Sequence, residues 1–180
     1  MTKDCHEGGG REIRRVPGYL AIIAGKDEYL VDQDGRACYE KARKAAGPDA
    51  EAEIISAQIL RVDDARVLEL QFAESVKTLS MFGGKRVIWL RNLNLVADTV
   101  QAKSDEVKKN LANILEVATS ADPSVSIVIS ATPYDGRRKD LSSLKSAAHD
   151  FIVHASASKS PFDKGDAQAD NQVALAVDRL

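Results

Sequence analysis

The sequence is short of the residues that mark several large classes of protein. It has only two cysteines, Cys5 and Cys38, which is too few for a disulfide framework and makes a reducing cytosol the simplest compartment. Its three histidines, His6, His149 and His154, lack the HExxH or CxxC spacing of zinc sites. We therefore expect neither a disulfide-rich secreted domain nor a metal centre.

Long apolar runs and an excess of positive charge are also missing. No run approaches the roughly 18 residues that a membrane span needs, and residues 1–10 are too polar for a signal peptide. The 25 basic and 27 acidic residues give a net charge of −2, whereas a domain that binds duplex DNA through phosphates should be distinctly basic. We expect a cytoplasmic protein that has no membrane contact. We also expect that this segment does not bind DNA directly.

What is present is an alternation of short apolar runs and helical stripes. Strands are predicted at residues 19–24, 52–60, 86–90, 125–130 and 151–154. Helices are predicted at about 28–46, from Asp63 or Asp64 to Gly83-Gly84, at 104–120 and at 140–148. This alternation predicts an α/β fold, with a parallel sheet flanked by helices.

The composition also divides the chain into segments. Residues 1–16 are polar and basic and are expected to be flexible, and residues 17–155 form the α/β domain. Residues 156–165 are rich in Ser, Lys and Pro and indicate a linker. A new helical pattern fills residues 166–180, which we interpret as the first helix of a further, truncated domain.

The loop after the first strand lacks the chemistry of a phosphate loop. A pattern GxxxxGK[ST] would supply backbone N–H groups, a lysine and a hydroxyl to the phosphates. Here Gly25, Lys26 and Asp27 occupy the position and Glu28 follows, so two carboxylates stand where phosphate needs positive charge. No GxSxG elbow or other catalytic set is present. We expect no ATP hydrolysis, no catalytic residue and no cofactor.

The most distinctive stretch is TLSMFGGKRVIWLRN, residues 78–92. An apolar stripe runs along the preceding predicted helix; its members are Leu68, Phe72, Val76 and Leu79. The stripe continues by spacing to Phe82, which favours core packing for that side chain. Met81 is rotated away from the stripe, and an exposed apolar pair usually marks a binding site. Pattern alone leaves both alternatives open.

A basic triplet, Arg137-Arg138-Lys139, follows a predicted turn. It could contact phosphate or an acidic partner. A solvated loop is the interpretation that charge patterning favours.

Together these segments resemble the N-terminal domain of the delta subunit of the bacterial DNA polymerase III clamp loader. The resemblance covers roughly residues 17–155 and is carried by Gly25, Asp27, Tyr29 and Leu30, by the SMFGGKR turn, by the VIWLRN strand and by the later VSIVIS strand. The SMFGGKR turn with its strand is the most specific part. The resemblance implies an AAA+-like domain that has lost its phosphate loop. It also implies that a helical lid domain follows, at which this chain stops.

The resemblance also implies partners. Members of the family do not hydrolyse ATP, and nucleotidyl transfer belongs to the polymerase holoenzyme as a whole. They bind the sliding clamp, which is the beta subunit, and open its ring for loading on primed DNA. They work beside the ATP-hydrolysing loader subunits and the delta-prime subunit.

The family's clamp contact is a hydrophobic pair, usually Leu-Phe, that precedes the third strand. In this sequence the pair falls on Met81 and Phe82, and Met for Leu is a mild change because Met has a similar volume. The implied clamp-binding residues are Ser80, Met81 and Phe82, supported by the turn residues Leu79, Gly83 and Gly84.

Two other classes remain as alternatives. One is a nucleotide-binding AAA+ or P-loop ATPase with an aberrant loop, which nucleotide-induced thermal stabilisation would reveal. The other is a receiver-like α/β interaction domain, for which Asp27 and Glu28 are suitably placed. A receiver also expects an aspartate at the end of the third strand, where this sequence has Leu90-Arg91-Asn92.

Overall fold

The computed structural model describes residues 18–78, 84–141 and 144–154, and these form a five-stranded parallel sheet with helices on both faces. The strands are β1 (Tyr19–Gly25), β2 (Glu51–Ser56), β3 (Arg86–Arg91), β4 (Val125–Ala131) and β5 (Asp150–His154). The helices are α1 (Glu28–Ala46), α2 (Val62–Lys77), α3 (Val100–Lys103) and α4 (Asp105–Thr119). The α/β prediction is confirmed. Among the described residues, no helix combines the length and apolarity needed to cross a membrane.

The sheet has the strand order β2-β3-β4-β1-β5, which places the first strand between the fourth and the fifth. β1, β3 and β4 are buried almost throughout, as their unbroken apolar sequences predict for strands covered on both faces. β2 and β5 are the edge strands and carry more exposed residues. The order is consistent with the AAA+-like architecture that the resemblance implies.

The helices divide between two apolar layers. α1 covers one face, where it packs on Trp89 and Val128, and α2 and α4 cover the other, where they pack on Ile22 and Ile88. α1 approaches closely because position 35 is a glycine: an added Cβ would lie 3.0 Å from the Trp89 ring. The indole Nε1 of Trp89 donates to the hydroxyl of Ser130 at 2.9 Å, which satisfies the buried polar group.

Local signals set the bounds of two helices as predicted. Asp27 is the N-cap of α1, and Gly47, with φ of 101°, ends it. Ser104 caps α4 through its hydroxyl, which accepts from the backbone N–H of Val107.

The start of α2 differs from the prediction that Asp63 or Asp64 is its N-cap. The helix begins at Val62, so both carboxylates lie in its first turn. Asp64 still satisfies the helix start, since it accepts from the backbone N–H groups of Leu60 at 3.1 Å and Arg61 at 2.8 Å. These hydrogen bonds hold the pKa of the Asp64 carboxyl below its usual range.

The end of α2 also differs, because the helix stops at Lys77 and not at Gly83-Gly84. Thr78 has left helical geometry, with φ of −68° and ψ of 115°. Its hydroxyl donates to the carbonyl of Glu74 at 2.8 Å, while its own carbonyl accepts from Arg86. A side-chain contact with β3 therefore ends the helix before the glycines.

Two further predictions are corrected. β2 ends at Ser56 and not at residue 60. Ala57 still donates to the carbonyl of Arg91, and the Asn94 side chain then binds both the N–H and the carbonyl of Ile59, which replaces pairing with β3. The helix predicted at 140–148 is not found in the described residues of that range. Residues 140–141 and 144–148 form turns, and 142–143 lie outside the described residues.

The short α3, capped by Thr99, was not predicted.

The basic triplet is only partly the solvated loop that was predicted. The Arg137 side chain is 76% exposed and pairs with Asp98 and Asp135. The Arg138 side chain is only 14% exposed and donates to the carbonyls of Leu95 at 2.7 Å and Ala102 at 3.1 Å. Arg138 therefore ties the connection after β3 to the connection after β4 and is not free to bind phosphate.

Close packing at the start of β1 gives a stability prediction. A methyl group at Gly18 would overlap the carbonyl oxygen of Pro123, a backbone atom that cannot turn aside. We expect Gly18→Ala to lower the free energy of unfolding by about 1–3 kcal/mol, measured by urea denaturation. Gly136→Ala is the matched control, since nothing lies within 4 Å of its added Cβ. Equal stability of the two variants would contradict the packing.

Candidate functional site

The connection from β1 to α1 is too short and too acidic to cradle a phosphate. β1 ends at Gly25 and α1 begins at Glu28, which leaves only Lys26 and Asp27 between them. The Asp27 carboxylate accepts from the backbone N–H groups of Tyr29 at 3.0 Å and Leu30 at 3.2 Å. The donors that a helix N-terminus would offer to an anion are thus occupied by the chain's own carboxylate.

Packing explains Gly25, the last residue of β1, which directly precedes this connection. An added Cβ at Gly25 would lie 2.9 Å from the Cβ of His154 and 3.0 Å from the Val31 side chain. β5 and α1 both press on this position, and His154 lies 2.9 Å from the carboxylate of Asp34 on α1. The close approach of β5 and α1 therefore accounts for a glycine at position 25, and no role in ligand binding is needed to explain it.

The carboxyl end of β3 also lacks the chemistry of a nucleotide site. P-loop NTPases use an aspartate to hold magnesium, and this strand ends in Arg91 followed by Asn92. The two nearest carboxylates are engaged: Asp32 accepts from Arg91, and Glu28 accepts from the Asn92 amide at 3.3 Å. Within the described ranges, no group of His, Cys, Asp and Glu side chains could hold a metal ion.

The implied clamp-binding residues stand in the sequence between α2 and β3, and β3 begins at the opposite, amino edge of the sheet. Ser80, Met81 and Phe82, with Leu79 and Gly83, fall outside the described residues. Gly84 is described and is partly buried directly before Lys85. The structure therefore defines the two ends of segment 79–83, which are Thr78 and Gly84.

Arg86, which lies two residues after Gly84, binds the first of these ends. Its guanidinium donates to the carbonyl of Thr78 at 3.2 Å and to the carboxylate of Glu53 at 3.0 Å, and it lies 3.4 Å from Glu51. The side chain is only 14% exposed, so solvent screens these contacts less than those of a surface pair. We call Arg86 with Thr78, Glu51 and Glu53 the Arg86 clasp.

Further contacts hold the clasp in the fold. The Ser75 hydroxyl donates to Glu53 at 3.1 Å, and the backbone N–H of Arg86 donates to the carbonyl of Ser124 at 2.9 Å. The clasp thus fixes the last turn of α2 against edge strand β2 at the point where segment 79–83 begins. The sequence analysis named Arg86 only as part of the SMFGGKR turn and its strand. The signal it missed was the spacing of Glu51 and Glu53, which places both carboxylates on one face of a strand.

The fold and its carboxyl edge define a class: a doubly wound α/β protein whose usual nucleotide position is closed by its own side chains. A family model described as DNA polymerase III, delta subunit matches residues 22–156, well over half of the 180 residues. The chain therefore belongs to the DNA polymerase III delta subunit family. It is a non-catalytic component of the clamp loader that serves DNA replication. No curated protein matches the chain.

The cap of α1 gives a prediction for the closed phosphate position. Asp27→Ala removes the acceptor for two backbone N–H groups and should lower the free energy of unfolding by about 0.5–2 kcal/mol. Asp27→Asn keeps an acceptor and should remain close to wild type. Urea denaturation of both variants checks this; equal losses would show that the charge of Asp27, and not its capping oxygen, supports the helix.

The Arg86 clasp gives a second prediction. Arg86→Ala leaves Glu51 and Glu53 without their cation and should cost about 1.5–3 kcal/mol of stability, the range for hydrogen bonds to charged groups. Lys108→Ala, which breaks the more exposed pair with Asp105 on α4, should cost no more than about 1 kcal/mol. Thermal unfolding of the two variants is the measurement. A smaller loss for Arg86→Ala than for Lys108→Ala would show that the clasp does not hold α2.

Proposed function

We propose that this chain binds the sliding clamp through Met81 and Phe82 and opens the ring of the clamp. Membership of the delta subunit family carries the proposal. The Arg86 clasp supports it, because it fixes one end of segment 79–83 on the sheet and so reduces the freedom that clamp binding must remove.

The end of α2 bears on the two roles considered for Phe82. Core packing was favoured because Phe82 continues the helical stripe of Leu68, Phe72 and Val76. That spacing has meaning only while the helix continues, and α2 ends at Lys77. The periodic argument for burying Phe82 therefore fails, which favours the alternative in which the pair contacts a partner.

The mechanism follows from apolar burial and from the rigidity of the α/β body. Each of the two side chains can contribute on the order of 1.5–3 kcal/mol when buried in an apolar pocket of the clamp, and such anchors often dominate an interface. The body behind them has buried central strands with helices on both faces. It acts as a lever, and the bound clamp is strained toward its open ring.

ATP acts elsewhere in the complex. We propose that the ATP-hydrolysing loader subunits and the delta-prime subunit expose or hide segment 79–83, so that nucleotide state controls clamp binding at a distance. Primed DNA is reached through the whole complex in the bacterial cytoplasm. Asp27 occupies the helix N-terminus at the usual nucleotide position, which argues against the P-loop ATPase alternative.

Calorimetric titration of the chain with its cognate clamp tests the site. We expect Met81→Ala and Phe82→Ala each to weaken binding by about tenfold or more, equivalent to about 1.4 kcal/mol. Val100→Ala is the control: it truncates an apolar side chain that is 87% exposed on α3, beyond the other edge of the sheet. It should bind like wild type.

The outcomes separate three accounts. Equal binding by wild type and both variants would place the clamp contact elsewhere. Loss of binding together with unfolding would assign Phe82 to the core. Absence of binding by the stably folded wild-type chain would contradict the proposed function itself.

A further inference from the structure

We propose that the clamp makes a second contact in a groove bordered by Lys85, two residues after segment 79–83 in the sequence, where Lys85 receives a carboxylate of the clamp. This inference rests on the proposed function and extends it from an apolar anchor to a charged one. The groove has a volume of about 210 Å³ and lies between the C-terminal half of α1 and the amino ends of β1 and β4. We call it the amino-edge groove.

The groove combines an apolar floor with positive charge. Its floor and walls include Ala42, Ala45, Ala46, Pro123, Lys41 and Lys85. Among the described residues, no carboxylate lines it. A partner segment that carries an apolar side chain next to an aspartate, a glutamate or a chain terminus would match both features.

The two lysines of the groove are not equivalent. The ammonium of Lys41 lies 2.8 Å from Asp150, which also accepts from the hydroxyl of Tyr19. Burial opposes ionisation of Asp150, but these two donors outweigh it and hold its pKa below the usual range. Lys41 is therefore already paired with a carboxylate of its own chain.

Lys85 remains available for a partner. The closest acceptor that it has among the described residues is the carbonyl of Ala45, at the long distance of 3.4 Å, and it forms no ion pair there. Lys77, which precedes segment 79–83 at the end of α2, likewise has no ion pair in the described part of the chain. Two exposed lysines that have no carboxylate partner among the described residues thus flank the segment in the sequence.

Continuity with the proposed anchor identifies the occupant as the clamp. Phe82 precedes Lys85 by three residues in the sequence. Chain length alone limits their Cα atoms to a separation of about 11 Å, so a protein held by Phe82 lies within reach of the groove that Lys85 borders. Charged contacts at the rim of an apolar anchor chiefly raise the association rate and select the partner, which suits a subunit that must find one ring among many proteins.

Charge reversal at Lys85 tests the inference in the full chain with the purified clamp. We expect Lys85→Glu to weaken binding by about tenfold at low ionic strength and to flatten the dependence of affinity on salt. Lys109→Glu is the matched control, because Lys109 is an exposed lysine of α4 without an ion pair among the described residues. It should change neither the affinity nor the salt dependence.

A second variant tests the apolar floor without changing charge. Ala45→Leu fills the groove from an exposed helical position and should also weaken clamp binding, while thermal unfolding shows that the fold is kept. If Lys85→Glu and Ala45→Leu bind like Lys109→Glu while Phe82→Ala fails to bind, the groove inference is wrong and the proposed function stands.

One other outcome would also overturn the inference. A folded wild-type chain that binds no clamp would remove both the groove contact and the proposed function.

Discussion

Burial of β1, β3 and β4 on both faces is the constraint on which the rest of the structure depends. Three adjacent strands of mostly apolar residues can be covered only if helices lie on each side of the sheet. α1 covers one face, and α2 and α4 cover the other. The surfaces left for binding include the two edges where the parallel strands begin and end.

The two edges carry different chemistry. At the carboxyl edge, where nucleotides bind in related architectures, Asp27 satisfies the N-terminus of α1 and Arg91 stands where a metal would need a carboxylate. At the amino edge, the Arg86 clasp fixes the end of α2, and the amino-edge groove opens beside it. The two features that could serve a partner, the Arg86 clasp and the amino-edge groove, therefore lie at the edge of the sheet that nucleotides do not use.

The sequence predicts the parts of this fold that local chemistry decides. α1 has the predicted bounds because Asp27 and Gly47 act within a few residues of its ends. The ends of β2 and α2 were misplaced because distant side chains decide them: Asn94 binds Ile59, and Arg86 binds Thr78. No local pattern contains such contacts.

The candidate site was identified from family resemblance and not from local sequence pattern. Composition and spacing identified residues 78–92 as unusual, but only family resemblance gave Met81 and Phe82 a partner. The clasp and the amino-edge groove could not be predicted, since each depends on strands and helices that are far apart in sequence. The start of α1 beside the usual nucleotide position was predicted correctly because the residues that decide it, Asp27 and Glu28, are adjacent in sequence.

Release of the clamp from DNA tests the central claim, that this chain opens the ring without using nucleotide itself. The clamp is placed on nicked circular DNA, this chain alone is added, and the rate at which the clamp leaves the DNA is followed by gel filtration. The account predicts that release accelerates as the chain is added and that ATP does not change the rate. Release that requires ATP, or a rate that the chain does not change although it binds the clamp, would contradict it.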